Sequence, residues 1–163
     1  MVTLIEITGQ TKQIILSVVY EGDNTRFLDY KQIEYDLLYP STSNKYFFIT
    51  KKDISQAVVG FCALHHINMF HRFASLSFAL YPMFTGKGYM KEALSKLFLI
   101  AFSQLHLNRI EAQVHEQNIK SCGLLQKLGF KKEGVLRNNF ITQSGIYSSY
   151  MYGLLRDDFK DIK

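Results

Sequence analysis

Two glycines separated by one residue, Gly86 and Gly88, stand between a strand-like segment that ends at Leu80 and a long helix-like segment. The first residues of a helix leave backbone N–H groups without partners and carry a partial positive charge. Because glycine has no Cβ, an anion can approach such a backbone closely. The pattern is typical of a phosphate or pyrophosphate site, although an ordinary turn before a helix has the same residues.

The spacing around these glycines fits neither of two common nucleotide-binding motifs. A P-loop requires a glycine five residues before Gly86, and none is present. A dinucleotide fingerprint requires a third glycine, and Lys91 occupies its position. The spacing alone therefore leaves the identity of the anion open.

A second stretch, within residues 108–134, has an asparagine, a serine and a glycine at positions where helices commonly begin or end. Asn118 can accept a hydrogen bond from the first turn, and Gly129 stands where a glycine commonly ends a helix. Ser121 lies in the first turn. The stretch predicts a short helix with its polar groups at the N-terminal end.

Taken in order, the two stretches resemble the GCN5-related N-acetyltransferases. Residues 84–94 (FTGKGYMKEAL) are similar to their acetyl-CoA-binding motif. Residues 118–121 (NIKS), followed by LGF at 128–130 and Glu133-Gly134, are similar to the next motif of the RimJ/RimL branch, which includes ribosomal-protein N-terminal acetyltransferases. The resemblance covers about residues 46–159, and residues 1–45 differ from the family's usual opening.

The resemblance implies a mixed α+β fold, with helices on both faces of a mixed, mostly antiparallel twisted sheet. Two parallel strands, Phe73–Leu80 and Arg109–His115, are expected to separate in a V-shaped split that holds acetyl-CoA. The glycine turn and the helix start after it would hold the pyrophosphate. The cofactor-binding residues implied in this way are Leu80, Phe84, Thr85, Gly86, Lys87, Gly88, Tyr89, Met90, Asn118 and Ser121.

Three residues are candidates for the chemical step. Ser121 matches the family serine near the sulfur, where it could protonate the departing thiolate. Asn118 matches an asparagine that contacts the cofactor arm, and it is equally a helix N-cap. Many relatives have a tyrosine four residues after this serine, but this chain has Leu125, a difference that favours RimJ/RimL proteins over spermidine acetyltransferases. The third candidate, His115, concerns the general base.

The general base is the least defined part of the expected mechanism. Carboxylates that relatives carry near the positions of Ser75, Gln113 and Phe140 are absent. His115 has the right chemistry, since a histidine titrates near neutral pH. An exposed polar residue at the end of a strand is the other interpretation of His115, and deprotonation through water would need no side chain at all.

These residues must be positioned by alternating strands and helices. Runs of β-branched and aromatic residues predict strands over residues 13–20, 46–50, 57–67, 73–80, 109–115, 135–141 and 146–155. A capped apolar pattern predicts a helix between Asp23 or Asn24 and Pro40. Apolar residues at steps of three and four predict a long helix from about Lys87 to Leu105.

Composition limits the class of protein. The chain has 163 residues, of which 47% are hydrophobic and 20% charged, so we expect one domain over residues 1–163 rather than a disordered or collagen-like chain. Cys62 and Cys122 form no disulfide or zinc pattern, and no metal site is expected. No apolar run is long enough to span a bilayer, and no signal peptide is evident. These features predict a cytoplasmic monomer or homodimer.

The net charge of +5 is compatible with a polyanionic partner such as a phosphorylated cofactor or a ribosome surface, and equally with an ordinary basic surface. Basic and aromatic residues are not interleaved in a stripe, so direct nucleic-acid readout is not expected. We therefore expect an acetyl-CoA-dependent N-acetyltransferase acting by direct attack on a primary amine, with a protein or peptide N-terminus as first acceptor. The alternatives are a small amine, such as a polyamine or aminoglycoside, and a CoA-binding module without catalysis.

Overall fold

A computed structural model describes residues 1–7, 35, 39, 41–53, 57–142 and 144–159 of the chain. Its strands are β1 (Val2–Glu6), β2 (Lys45–Lys51), β3 (Val58–Asn68), β4 (Phe73–Leu80), β5 (Arg109–His115), β6 (Lys131–Thr142) and β7 (Gly145–Leu155). They form one sheet in the order β1-β2-β3-β4-β5-β7-β6. Only β4 and β5 are parallel neighbours within this sheet, so the expected mixed, mostly antiparallel sheet is confirmed.

Two α-helices flank β5 in the chain: the first connects β4 to β5, and the second connects β5 to β6. Helix α1 spans Tyr89–Leu99 and continues as a π-helical turn over Ile100–Gln104, and α2 spans Ile119–Lys127. A short 3-10 turn, Pro82–Phe84, links β4 to the glycine turn. The helix expected from about Lys87 thus begins two residues later, because Gly88 adopts a left-handed conformation (φ 79°) as its N-cap.

One face of the sheet packs against both helices and forms the main core. Leu94 and Leu97 of α1 are fully buried in it, as are Ala74 of β4 and Ile110 of β5. Leu125 of α2 is in the same cluster. Each leucine buried in this way contributes about 1.5–3 kcal/mol relative to an exposed one, so the packing fixes α1 and α2 on one face of β4 and β5.

The opposite face of the sheet carries a smaller apolar cluster and several polar groups. Tyr46, Phe48, Phe61, Ala63 and Ala79 form the cluster, with Tyr81 beside it. Side chains alternate between faces along a strand, so Ser75 and Ser77 of β4 lie on this second face. The helix expected before Pro40 lies outside the described residues, as does the strand expected over residues 13–20.

The other differences between the predicted and the observed elements lie at the N-terminus of the chain and at the start of β6. Sequence patterns did not predict β1, which pairs with β2 and is joined to α1 by the Val2 N–H donating to Glu92 Oε1 at 2.9 Å. Strand β6 begins at Lys131 rather than at Val135. Its irregular register opposite β7, with shifts after Lys132 and Leu136, explains why simple alternation is weak there.

Candidate active site

Strands β4 and β5 separate soon after they begin to pair. Their pairing is confined to Phe73 with Arg109, Ala74 with Ile110 and Ser75 with Glu111. Beyond these residues, β4 remains paired to β3 as far as Leu80, and β5 remains paired to β7 along its whole length. Both strands are therefore held from their outer sides while their facing edges diverge, which is the expected V-shaped split.

The glycine turn lies where β4 ends. Gly86 and Gly88 have φ angles of 75° and 79°, which an L side chain rarely adopts. A Cβ built on either glycine would meet nothing within 4 Å, so backbone conformation rather than crowding requires glycine, and the space beside these amides is open. No side chain caps the start of α1 at Gly88, which leaves its first turn accessible to an anion.

A pocket of about 610 Å³ connects the split, the glycine turn and the start of α2. Its described lining residues are Phe78, Leu80, Thr85, Gly86, Gly88, Tyr89, Met90, Lys91, Ile119, Lys120, Ser121, Gly123, Leu124 and Lys127. They include three lysines and no carboxylate, so the charged part of the wall is positive. The remaining wall is largely apolar, as suits an elongated ligand with a charged end and a less polar arm.

The start of α2 presents Ser121 to this pocket. Asn118 Oδ1 accepts a hydrogen bond from the Ser121 N–H at 3.2 Å, so Asn118 is the N-cap of α2. Ser121 is 6% exposed, and Leu125, one turn further, is buried in the core. The place of a tyrosine in many relatives is thus taken by a packing residue, and Ser121 is the hydroxyl at this end of the pocket.

Seven of the ten residues expected to bind the cofactor line the pocket: Leu80, Thr85, Gly86, Gly88, Tyr89, Met90 and Ser121. The other three lie beside it. Phe84 packs against Tyr89, Lys87 Nζ lies 5.7 Å from the centre of the Phe84 ring, and Asn118 caps α2. Sequence reasoning missed the contribution of the other residues of α2, chiefly Lys120 and Lys127. Their seven-residue spacing, two helical turns, was the available signal.

His115 is not among the lining residues of that pocket. It is 3% exposed, and its ring packs against Phe140 and Tyr147 with centroids 5.2 and 4.9 Å away. Its Nδ1 accepts a hydrogen bond from the Gln117 N–H at 3.1 Å. The interpretation of His115 as an exposed residue at a strand end is therefore wrong. Its catalytic role stays a prediction.

Near α2, the thiol of Cys122 and the phenol of Tyr152 are both buried. Cys122 is 8% exposed, which agrees with the interpretation of a small buried thiol rather than a nucleophile. Burial, and then a hydrogen bond with Cys122, raise the pKa of Tyr152 to about 12. Burial also raises the pKa of the Cys62 thiol. Neither Tyr152 nor Cys62 therefore supplies a base at neutral pH.

Comparison with known proteins places this arrangement in a family. A family model described as an acetyltransferase (GNAT) domain matches residues 22–131. The chain belongs to the GNAT acetyltransferase family. It is 33% identical over 137 residues to an uncharacterized N-acetyltransferase, p20, of Bacillus licheniformis, covering 84% of this chain and 76% of that protein. As a GNAT protein, the chain is an acyltransferase.

Two further similarities concern the fold and one class of acceptor. The spermidine/spermine N-acetyltransferase SpeG of Vibrio cholerae, in a crystal structure of mutant forms, superposes with a TM-score of 0.81 at 20% identity, over 96% of this chain and 94% of that one. This likeness confirms the GNAT fold. The spermidine N(1)-acetyltransferase of Escherichia coli K12 is 31% identical over 93 residues, which cover 57% of this chain and 49% of that protein.

GNAT acetyltransferases use acetyl-CoA, and the described residues fit such a molecule. The open amides of the glycine turn and the three lysines suit a pyrophosphate, and the unpaired edge of β4 suits an amide-bearing arm. Within the described ranges, no three His, Cys, Asp or Glu side chains lie close enough together to hold a metal ion. Of the helices described, none combines the length and apolar character needed to cross a bilayer.

Proposed function

We propose that this GNAT protein transfers the acetyl group of acetyl-CoA to a primary amine by direct attack within the split. The observation that carries the proposal is the continuous pocket from the open edge of β4 to the glycine turn, with a positive and carboxylate-free described wall. A bound thioester there would present its carbonyl carbon to an amine without any covalent intermediate on the enzyme.

The two ends of the pocket would bind different parts of acetyl-CoA. At the wide end, the amides of Gly86 to Tyr89 face an anion, and Lys91, Lys120 and Lys127 add charge. Along β4, backbone groups between Leu76 and Leu80 have no strand partner on the β5 side, so they are available to pair with an amide-bearing arm. Such pairing would orient the arm toward the narrow end of the split.

The chemical step needs a proton donor for the departing thiolate and an acceptor for the amine proton. Ser121 lies on the α2 side of the pocket, and its backbone N–H is fixed by Asn118. Its hydroxyl is therefore the candidate donor, delivering a proton to the sulfur as the C–S bond breaks. Backbone N–H groups on the open edge of β4 are candidates to stabilise the oxyanion.

The acceptor that the relatives favour is a small amine. The Escherichia coli relative named a spermidine N(1)-acetyltransferase shares 31% identity over 93 residues, and this similarity supports a polyamine-type acceptor over the protein N-terminus expected first. A protein or peptide N-terminus is supported by the motif at 118–134 and by 28% identity over 107 residues to a putative ribosomal N-acetyltransferase, YdaF, of Bacillus subtilis, over 66% of this chain and 58% of that protein. Glu111, which pairs with Ser75 where the split begins, is engaged by Arg109, so a polycation would rely on other groups.

The test begins with binding. At acetyl-CoA concentrations about a hundred times the Kd, binding adds about 2.7 kcal/mol of stability, which raises Tm by roughly 5–11 °C for a chain of this size. Thiol release is then measured with spermidine, simple alkylamines, an aminoglycoside and N-terminal peptides. Turnover of an amine supports the transferase, and the preferred class identifies the acceptor. A Tm shift without turnover of any amine would instead identify a CoA-binding module, and no shift would contradict both.

A further inference from the structure

Three polar side chains form a hydrogen-bonded chain across three strands on the second face of the sheet. Tyr46 Oη of β2 and His65 Nδ1 of β3 are 3.1 Å apart. His65 Nε2 and Ser77 Oγ of β4 are 2.5 Å apart. The tyrosine ring also packs edge-on against the imidazole, with centroids 5.0 Å apart. These contacts fix both the position and the orientation of the imidazole.

The hydrogen-bonded series of Tyr46, His65 and Ser77 ends at the split. Ser77 stands two residues beyond Ser75, the last residue of β4 that pairs with β5. The edge of β4 at Ser77 therefore faces the open split, near the point where β4 and β5 separate. Ser75, Ser77 and Glu111 share the second face, while Phe78 and Leu80, on the other face, line the cofactor pocket. Ser77 thus stands at the narrow end, on the side away from α1 and α2.

The direction of the bound arm connects this position with the chemistry. The glycine turn follows the C-terminal end of β4, so an arm held there must run back along β4 toward the closed end of the split. From Leu80 to Ser77 the strand covers about 10 Å. The thioester would therefore come to rest near Ser77, with α2 and Ser121 on one side and the second face of the sheet on the other.

We infer that Ser77 and His65 accept the proton of the attacking amine, an assignment that rests on the function proposed above. Ser77 is the catalytic contact to the amine, and His65 is the group in which the proton is held. Tyr46 is a positioning residue that orients the imidazole. The arrangement supplies the base for which the sequence offered no carboxylate at Ser75, Gln113 or Phe140.

The proton transfers balance in a simple relay. In the active tautomer, His65 Nδ1–H donates to Tyr46 Oη, and the Nε2 lone pair accepts from the Ser77 hydroxyl. As the amine nitrogen bonds to the carbonyl carbon, it gives one proton to Ser77 Oγ, whose own proton passes to Nε2. The histidine becomes an imidazolium. When the C–S bond breaks, Ser121 protonates the thiolate and then recovers a proton from solvent, and the imidazolium returns its proton to solvent.

Few charged groups surround the imidazole among the residues that the structure describes. Tyr46 faces it from β2, and β4 contributes the neutral Ser75 and Ser77. On its own strand, the ring of His66 lies 6.3 Å away. On the same face, the nearest carboxylate of β5 is Glu111, which accepts a hydrogen bond from Arg109 Nε at 2.8 Å. These are the described titratable and charged groups that face the imidazole.

The deciding experiment compares His65→Gln with wild type in thiol release. Glutamine retains hydrogen-bonding capacity but accepts no proton, so we expect kcat/KM to fall roughly 100-fold. An alkylamine acceptor with a pKa near ~10.4 is protonated throughout pH 5–8, the range in which histidine changes charge, so kcat/KM is calculated on the concentration of its free base. Calculated in this way, wild-type kcat/KM should rise with pH across this range, and His65→Gln should lose that rise.

Matched variants separate the relay from general damage. His71→Gln makes the same change at an exposed turn histidine and should retain wild-type turnover. Ser77→Ala should lose activity like His65→Gln, and Tyr46→Phe should lose less, since it removes only the orienting oxygen. All variants should show the wild-type Tm shift with acetyl-CoA. If His65→Gln does not fold, Ser77→Ala measured over the same pH range decides.

The outcomes distinguish this inference from the function on which it rests. A loss of at least tenfold together with loss of the pH-dependent rise supports the relay. A smaller loss, or an unchanged pH profile, overturns it while leaving the transferase intact. An acetyl group found on Ser77 after incubation with acetyl-CoA alone would also overturn it, since the serine would then be a nucleophile. A wild-type chain without turnover of any amine overturns both proposals.

Discussion

On the helix side of the split, the candidate binding groups come from two short stretches of sequence, the glycine turn before α1 and the first turns of α2. On the other side, the polar groups come from three strands, and Tyr46, His65 and Ser77 meet only because the sheet pairs them. The first side offers backbone amides and lysines, which suit an anion. The second offers side chains that can move a proton.

This difference explains what the sequence made predictable. A glycine pair before a helix and a capped serine are local patterns, so residues 84–91 and 118–121 could be assigned from spacing and resemblance. The contact between His65 and Ser77 depends on the register of β3 against β4, which no local pattern specifies. Two adjacent histidines, His65 and His66, near the end of the largely apolar β3 were the available signal in that strand.

The largest effect is expected from Gly86→Glu, which acts on the anion side alone. Its carboxylate would face the position of the pyrophosphate, and its backbone would be strained at a φ of 75°. We expect the acetyl-CoA-induced Tm shift to disappear. Gly86→Ala is the matched control, because it adds the strain, about 1–2 kcal/mol, without the charge. Equal loss of binding in both variants would attribute the effect to backbone geometry, and wild-type binding by Gly86→Glu would contradict the proposed site.

Ser121→Ala tests whether the helix side also takes part in the chemistry. We expect kcat to fall about 100-fold with little change in the Kd for acetyl-CoA, because the hydroxyl is needed when the thiolate departs. Ser95→Ala, on the partly exposed side of α1, is the control and should leave kcat unchanged. An unchanged kcat in Ser121→Ala would remove this serine from the mechanism.

Variants of Asn118 test whether this residue only caps α2 or also contacts the cofactor. Asn118→Ala should cost about 1 kcal/mol of stability, or roughly 2–4 °C in Tm, because the Ser121 N–H loses its acceptor. Asn118→Ser should restore most of the stability, since serine also caps helices. If Asn118→Ser melts like wild type yet binds acetyl-CoA more weakly, Asn118 contacts the cofactor. Equal affinity would limit it to capping.

The smallest effect is expected far from the chemistry, at the ion pair between β5 and β6. Arg109 lowers the pKa of Glu133, chiefly through a hydrogen bond. A carboxyl whose pKa is lower in the folded state contributes stability above its unfolded pKa, and this is lost as pH falls through the folded value. Because Glu133 is 41% exposed, Glu133→Gln should cost under about 1 kcal/mol at pH 7. Its Tm should fall less than that of wild type between pH 7 and 3, and parallel curves would contradict the assignment.

The fold shows the same division between local and long-range information. The bounds of β4 and β5 follow their alternation and agree with the prediction over 73–80 and 109–115. Strand β1 was missed because five residues are too few to show a period, and its place depends on pairing with β2 and on the bond to Glu92. Strand β6 was shortened because its register shifts interrupt the alternation.

The class of acceptor was the part of the function that the spacing of residues predicted least well. Leu125 in place of a tyrosine favoured RimJ/RimL proteins, whereas the small amine of the proposed function is argued from the similarity to a spermidine N(1)-acetyltransferase. The buried Leu125 shows only that a tyrosine proton donor is absent at this position. It carries no information on the shape or charge of an acceptor groove, so this position could not decide between the two acceptor classes.

The most direct test of the whole account is a crystal structure of the protein with CoA. The account predicts that the pyrophosphate contacts the amides of Gly86 to Tyr89 and that the arm lies along the open edge of β4, with its sulfur between Ser121 and Ser77. CoA bound elsewhere, or a split closed by pairing of β4 with β5 beyond Ser75, would contradict it.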